Sequence, residues 1–192
     1  MRKLAAFALM MTLLFSACKT AANDPGQAAL DIRTRLLADG GISLCADIQA
    51  DFGEKVYDYR LECDYSCDGS STVTVVEPDI ISGISATVSQ EGTSLSFDGI
   101  SLNTGTLEGT ELSPMGALPA MAEAWCSGYI SNTCAAQIDD ADCYFVSYLT
   151  GSGSDELEIR TWFDKTALLP VYGEIVSDGS VVIYASFNQK IH

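Results

Sequence analysis

From residue 42 onward the chain alternates. Ile42, Leu44, Ala46, Ile48, Ala50 and Phe52 are apolar, and Ser43, Asp47, Gln49 and Asp51 between them are polar. A period of two with one apolar face predicts a half-buried antiparallel strand. Gly53 and Glu54 predict a tight turn, after which Tyr57, Tyr59, Leu61, Cys63 and Tyr65 share one face and Asp58, Arg60, Glu62 and Asp64 the other. A two-residue turn sets Ala50 opposite Tyr57 and Ile48 opposite Tyr59, so the apolar faces agree. A β-branched run over 72–77 is a further strand, stopped by Pro78. Residues 83–90 and 93–102 predict a hairpin around Glu91 and Gly92, with Val88 facing Leu95 and Ala86 facing Phe97. Strands are also predicted over 129–138, 143–150, 156–164, 171–177 and 181–187, the last two turned by Asp178 and Gly179.

Two segments keep a period of 3.6 instead. Asp24 caps and Pro25 opens the first, Ala29, Ile32, Arg33 and Leu36 or Leu37 form its face, and Gly40 and Gly41 end it. Ser113 and Pro114 open the second, where Met115, Leu118, Met121, Ala122 and Trp125 fall on one stripe and Gly128 closes the helix. Its outward face carries one ion, Glu123, so it is expected to be covered on more than one side. About ten strands and two helices without helical crossovers predict an antiparallel α+β fold.

The first residues are of another kind. Arg2 and Lys3 precede an apolar run over 4–15, then come Ser16, Ala17 and Cys18. A basic start, a short apolar stretch and small residues are a secretory signal. The run is too short for a membrane-spanning helix, which needs about 20 apolar residues. The segment resembles the bacterial lipoprotein signal, in which the cysteine is diacylated and becomes the mature N-terminus. Phe15 departs from the usual aliphatic residue there, with Leu14 one place early. The expected organisation is a signal over 1–17, lipidated Cys18 and a short tether over 18–24, and a folded domain over 25–192.

Charge removes whole classes of function. The chain of 192 residues carries 26 acidic and 10 basic side chains, a net −16. Loss of Arg2 and Lys3 with the signal takes the mature chain to about −18. Phosphate backbones repel such a surface, so no nucleic-acid partner is expected. Anionic headgroups repel it too, which leaves the lipid as the attachment to a membrane.

Six of the seven cysteines follow Cys18: Cys45, Cys63, Cys67, Cys126, Cys134 and Cys143. An even number in an exported chain makes all six disulfide candidates, with fifteen pairings open. Cys63 and Cys67 lie roughly 13 Å apart along a continuous strand and cannot bond each other there. Their spacings do not match closed zinc sites, so no metal and no cofactor is expected. The single histidine is terminal His192, which leaves no Ser-His-Asp or Cys-His arrangement. Asp139, Asp140 and Asp142 lack the glycine and closing glutamate of a calcium loop and read as a solvated turn. Paired carboxylates are left as the one route to a hydrolase.

Two sets of residues carry a family resemblance. The first is Val75-Val76-Glu77-Pro78 with Ile81-Ser82-Gly83-Ile84 and Leu95-Ser96-Phe97-Asp98-Gly99. The second is Thr161-Trp162-Phe163-Asp164-Lys165 with Leu169-Pro170, Glu174-Ile175 and Asp178-Gly179. In these, and in the order helix, strand meander, helix, strand meander, the chain resembles LolA/LolB-like lipoproteins, in particular small ones of Gram-positive, clostridia-type bacteria. The resemblance implies a strongly curved antiparallel half-barrel of ten or eleven strands, with two helices on its concave side over an apolar cavity. In the Lol system such a cavity holds acyl chains, and mycobacterial relatives carry lipids. A spore-germination lipoprotein of this fold acts through a protein partner, so fold alone does not name the function. The residues expected to face inward are Tyr57, Tyr59, Leu61, Ile84, Val88, Leu95 and Phe97, with Met115, Leu118, Met121 and Trp125. They either fill one another as a closed core or wall a cavity for an acyl chain. The expectation is a non-enzymatic, lipid-anchored extracytoplasmic lipoprotein that binds a lipid or other hydrophobic ligand. The alternative is an interaction module for a cell-envelope protein partner.

Overall fold

The computed structural model describes residues 24–51, 53, 55–89, 92–105, 113–151 and 156–188. Cys18 and the signal expected over 1–17 lie outside the described residues. Helix α1 (Pro25–Asp39) leads into β1 (Gly41–Asp51), β2 (Val56–Ser66), β3 (Ser71–Glu77), β4 (Ser85–Ser89), β5 (Gly92–Phe97) and β6 (Ile100–Gly105). A 3-10 turn at Asp79–Ile81 separates β3 from β4. Helix α2 (Pro114–Ser127) then precedes β7 (Tyr129–Ile138), β8 (Ala141–Thr150), β9 (Leu157–Asp164), β10 (Pro170–Ser177) and β11 (Ser180–Phe187). All eleven strands form one antiparallel sheet in the order β6-β5-β4-β3-β2-β1-β11-β10-β9-β8-β7. The two meanders therefore meet where β1 pairs with β11, with Ile48 opposite Ala185. Among the described residues the sheet does not close, β6 and β7 being its two edges, and the architecture is an α+β half-barrel.

The β1–β2 register is the one that the alternation dictates, with Ala50 opposite Tyr57 and Ile48 opposite Tyr59. The hairpin expected over 83–102 is different. Ala86 pairs with Leu95 and Val88 with Thr93, so the turn closes one residue earlier than Glu91 and Gly92. The expected single strand over 93–102 is two, because Asp98 and Gly99 take positive φ of 48° and 77° and turn the chain. Two such residues in succession make the turn type that matches strand twist. Phe97 then pairs with Ile100, and β6 becomes a sheet edge. Asp139 and Asp140 make the same kind of turn between β7 and β8, with φ of 47° and 68°.

Both helices lie on one face of the sheet. The Asp24 carboxylate accepts from the Gly26 N–H at 3.0 Å, Pro25 opens the first turn, and Gly40 ends α1 in the left-handed conformation. Ala29, Ile32 and Leu36 are its buried stripe, while Leu37 faces out. The Ser113 hydroxyl caps α2 by accepting from the Gly116 N–H at 3.0 Å. Gly128 ends α2 for a different reason from the expected one. Its φ is −61°, and a Cβ there would lie 2.6 Å from the Ala124 carbonyl oxygen, so close approach requires the glycine. Arg33 of α1 satisfies the exposed end of α2, donating to the carbonyls of Trp125 at 3.0 Å and of Gly128. A cation at a helix C-terminus also meets the negative end of the helix dipole.

Part of the core lies under the C-terminal half of α2. Trp125 is fully buried, stands edge-on to Phe163 with centroids 5.5 Å apart, and donates its indole N–H to Thr161 at 2.9 Å. Met121 reaches the sheet because β10 has Gly173 beneath it; a Cβ there would come within 3.0 Å of the methionine sulfur.

Candidate functional site

The two long faces of α2 differ in size of side chain. Leu118, Met121, Ala122 and Trp125 are buried against the sheet. Gly116, Pro119, Ala120 and Glu123, spaced by three and four, turn toward β3, β4 and β5. Small residues leave that side unfilled. A cavity of 470 Å³ lies there between α2 and β2–β5. Its sheet wall is Tyr65, Val73, Val75, Ala86, Val88 and Leu95, with Ile81 and Ile84 from the segment between β3 and β4. Met115 and Pro119 close it from the helix, and Tyr59, Gly69, Ser71, Thr93 and Ser113 complete the boundary. Glu123 is the sole ionic side chain among the described residues that line it, and it is exposed. Ligand cavities usually measure about 300–1,000 Å³ and are mostly apolar with a few polar groups.

The eleven residues expected to face inward divide accordingly. Tyr59, Ile84, Val88, Leu95 and Met115 border the cavity. Leu61, Leu118, Met121 and Trp125 are 0% exposed and belong to the packed core, not to a cavity wall. Tyr57 and Phe97 stand on the concave face but are 39% and 50% exposed. The apolar stripe of α2 read from the sequence is thus the helix's packed face. Large apolar side chains fill space, so the face that borders a cavity is the one built from small residues. Val73, Val75, Ala86, Pro119 and Ala120 also line it and are not among the eleven. The signal that could have found them is the run of small residues at 116, 119 and 120, out of phase with the large ones.

Beyond the cavity the apolar concave face continues. Leu95 pairs with Leu102 and Phe97 with Ile100, so these side chains share one face. Ile100 is 76% exposed and Leu102 64%.

The opposite, outer face has an open cleft of 780 Å³ with a different chemistry, lined by Asp47, Gln49, Asp58, Arg60, Glu77, Tyr172 and Tyr184. Three of its charges are committed to one another, and the Asp58 carboxylate accepts from the Gln49 amide at 3.0 Å. Arg60 reaches Asp47 at 2.8 Å and Glu77 at 2.6 Å, and Asn188 donates to the other Asp47 oxygen at 3.0 Å. The Arg60 guanidinium holds the Asp47 carboxyl below the usual range. A carboxylate held ionised in this way is not the general acid that a carboxylate pair needs. Further along the outer face, Arg160 at 2.8 Å and the Ser147 hydroxyl at 2.7 Å lower Glu158 similarly. Among the described residues no three His, Cys, Asp or Glu side chains gather as a metal site.

All six cysteines are thiols in this structure. Cys45, Cys134 and Cys143 occupy outer-face positions of β1, β7 and β8. Cys63 is buried on the inner face between Leu44 and Val73, and burial pushes its thiol up to about 12. Cys67 has left the line of β2, and its sulfur lies 3.0 Å from that of Cys126.

No protein-family model and no curated protein matches this chain. Several solved structures are similar to it at low identity. A LolA superfamily protein from Nitrosomonas europaea is 15% identical, over 80% of this chain and 74% of that one, with a TM-score of 0.46. LprF from Mycobacterium bovis is 15% identical, over 85% and 92%, with a TM-score of 0.42. The lipoprotein LppX from Mycobacterium tuberculosis is 13% identical, over 88% and 99%, with a TM-score of 0.39. These chains overlap this one over most of its length, at identities of 13–15% and TM-scores below 0.5.

Proposed function

We propose that this chain is a lipid-anchored extracytoplasmic lipoprotein that holds an alkyl chain between α2 and β2–β5. The observation that supports this is the 470 Å³ apolar cavity beneath the small-residue face of the helix. The work is done by burial without covalent chemistry: each methylene removed from water contributes about 0.8 kcal/mol. The tyrosine hydroxyls of Tyr59 and Tyr65 and the Glu123 carboxylate suit the polar end of such a ligand. A carboxylate at the rim favours a neutral or cationic headgroup over an anionic one.

Chain purified from its host is expected to carry lipid in native mass spectrometry. Ala120, which is 8% exposed, borders the cavity from α2. Ala120→Trp is expected to fill that space and weaken binding of a fluorescent fatty alcohol at least about tenfold, a loss of 1.4 kcal/mol or more. Far-ultraviolet circular dichroism of the variant should match that of the unchanged chain. Lipid-free protein together with unchanged binding by Ala120→Trp sinks the reading. It would favour the alternative, supported by the apolar edge strand β6, in which Ile100 and Leu102 dock a cell-envelope protein. Crosslinking from position 100 separates the two.

The anchor reading rests on the segment ending at Cys18. Among the described residues no helix is long and apolar enough to cross a membrane. Two or three acyl chains at Cys18 give stable attachment, since one chain alone binds marginally. Cells fed labelled palmitate are expected to label the chain, and Cys18→Ala to release it into the soluble fraction. Retention of that variant at the membrane would count against the anchor.

A further inference from the structure

Fifteen pairings of the six cysteines are open to the sequence, and the structure singles out one. Cys67 sits where β2 ends, and its backbone N–H donates to the Gly40 carbonyl at 3.0 Å. Its thiol lies 3.5 Å from the Leu36 carbonyl, in the last turn of α1. Cys126 is the penultimate residue of α2, held at its end by Arg33, which grips the carbonyls on either side at Trp125 and Gly128. Three backbone segments thus fix two sulfurs 3.0 Å apart, although 59 residues separate them in the chain. A disulfide's S–S bond is about 2.05 Å, so the two sulfurs are already within roughly 1 Å of bonding distance.

We propose that Cys67 and Cys126 are a redox-active pair that closes to a disulfide, tying the last turn of α2 to the β2–β3 turn. The oxidant is a disulfide, R–S–S–R, from a small thiol or a thiol oxidoreductase. Cys67 is half-buried and Cys126 buried, so Cys67 meets the oxidant first. Its thiolate attacks one sulfur of the oxidant, forming a Cys67–S–S–R bond and releasing R–S⁻. Cys126 gives up its proton and attacks the Cys67 sulfur, which releases the second R–S⁻. Two protein thiols lose two protons and two electrons, and the oxidant gains both electrons as two thiols. Burial, then the contact with Cys67, pushes the Cys126 thiol up to about 12, so deprotonating it is a cost of the closing step. Tyr65 and Gly69 lie beside the pair and also border the cavity, so the bond pins one end of that wall. The bond itself is independent of any ligand there.

The test is peptide mapping of the full purified chain after equilibration with oxidised glutathione. Trypsin is uninformative, because no lysine or arginine lies between Arg60 and Arg160. Cleavage after aspartate and glutamate gives residues 65–68 and 124–139, which carry Cys67 and Cys126. Expected is a linked pair of these peptides, two hydrogens lighter than their sum, both in the unchanged chain and in Cys134→Ser. The second protein is needed because 124–139 also contains exposed Cys134. Recovery of 65–68 with an alkylated, unlinked Cys67, or linked to Cys63, overturns the assignment. Reductant is also expected to lower the Tm of the oxidised chain by roughly 5–15 °C. It should leave Cys67→Ser unmoved, and an equal shift in both proteins overturns the proposal as well.

Discussion

Tyr148 is the residue with the least support for its polar group. It is fully buried in β8, and its hydroxyl has no hydrogen-bond partner among the described residues. Its register partners are Ile130 and Ile159, which offer no side-chain acceptor. A buried hydroxyl that bonds nothing costs about 1–3 kcal/mol, part of which Phe at the same position recovers without opening a cavity. Tyr148→Phe is therefore expected to raise stability by up to about 1 kcal/mol, seen as a higher urea midpoint at unchanged slope. A fall in the midpoint would mean that the hydroxyl is satisfied. Trp125 is the contrast: equally buried, it has Thr161 as acceptor, so its size and its polar atom are both accommodated.

Among the elements, α2 holds the answer to how much of the site could be read in advance. Its start at Ser113 and Pro114 and its apolar stripe are legible, since caps and a 3.6 period act within a few residues. The stripe led to Leu118, Met121 and Trp125, which are core. The cavity borders the other face, where Gly116, Pro119 and Ala120 leave room, and a small residue reads as neutral in any hydropathy pattern. The sheet behaves likewise. Alternation and turn residues place β1 against β2 correctly, whereas the two-residue difference in the β4–β5 hairpin keeps every face and moves every partner. A shift of two is invisible to a pattern of period two. Asp98 and Gly99 carried the missing turn signal within a run that looked continuous. By its spacing Arg33 belongs to an amphipathic face, and its work is to cap a helix 92 residues away.

At the scale of the whole molecule, the buried thiol and phenols decide the response to alkali. Cys63 is pushed by burial from its ordinary 9.0 to about 12. Burial likewise raises Tyr65 and Tyr148 well above their ordinary 10.0. In the unfolded chain these groups lose protons from about pH 9 upward, while the folded chain retains them. The folded state then binds more protons, so its stability is full below that range and falls as pH rises through it. The net charge of −16 grows at the same time, and its self-repulsion acts in the same direction. Thermal unfolding is expected to show a Tm that is level near neutrality and declines steadily from about pH 9, less steeply in Tyr148→Phe. A level profile to pH 11 would place these side chains in contact with water.

What the sequence determined alone is local: the two capped helices and the period of two along the strands. These depend on side chains a few positions apart, where chain geometry leaves little choice. Tertiary structure decided the pairing of β1 with β11, the face of α2 that borders the cavity, and the meeting of Cys67 with Cys126. Each of these is a distance between residues far apart in the chain. Such distances follow from how the two meanders and two helices fill a common volume, and no local pattern encodes that.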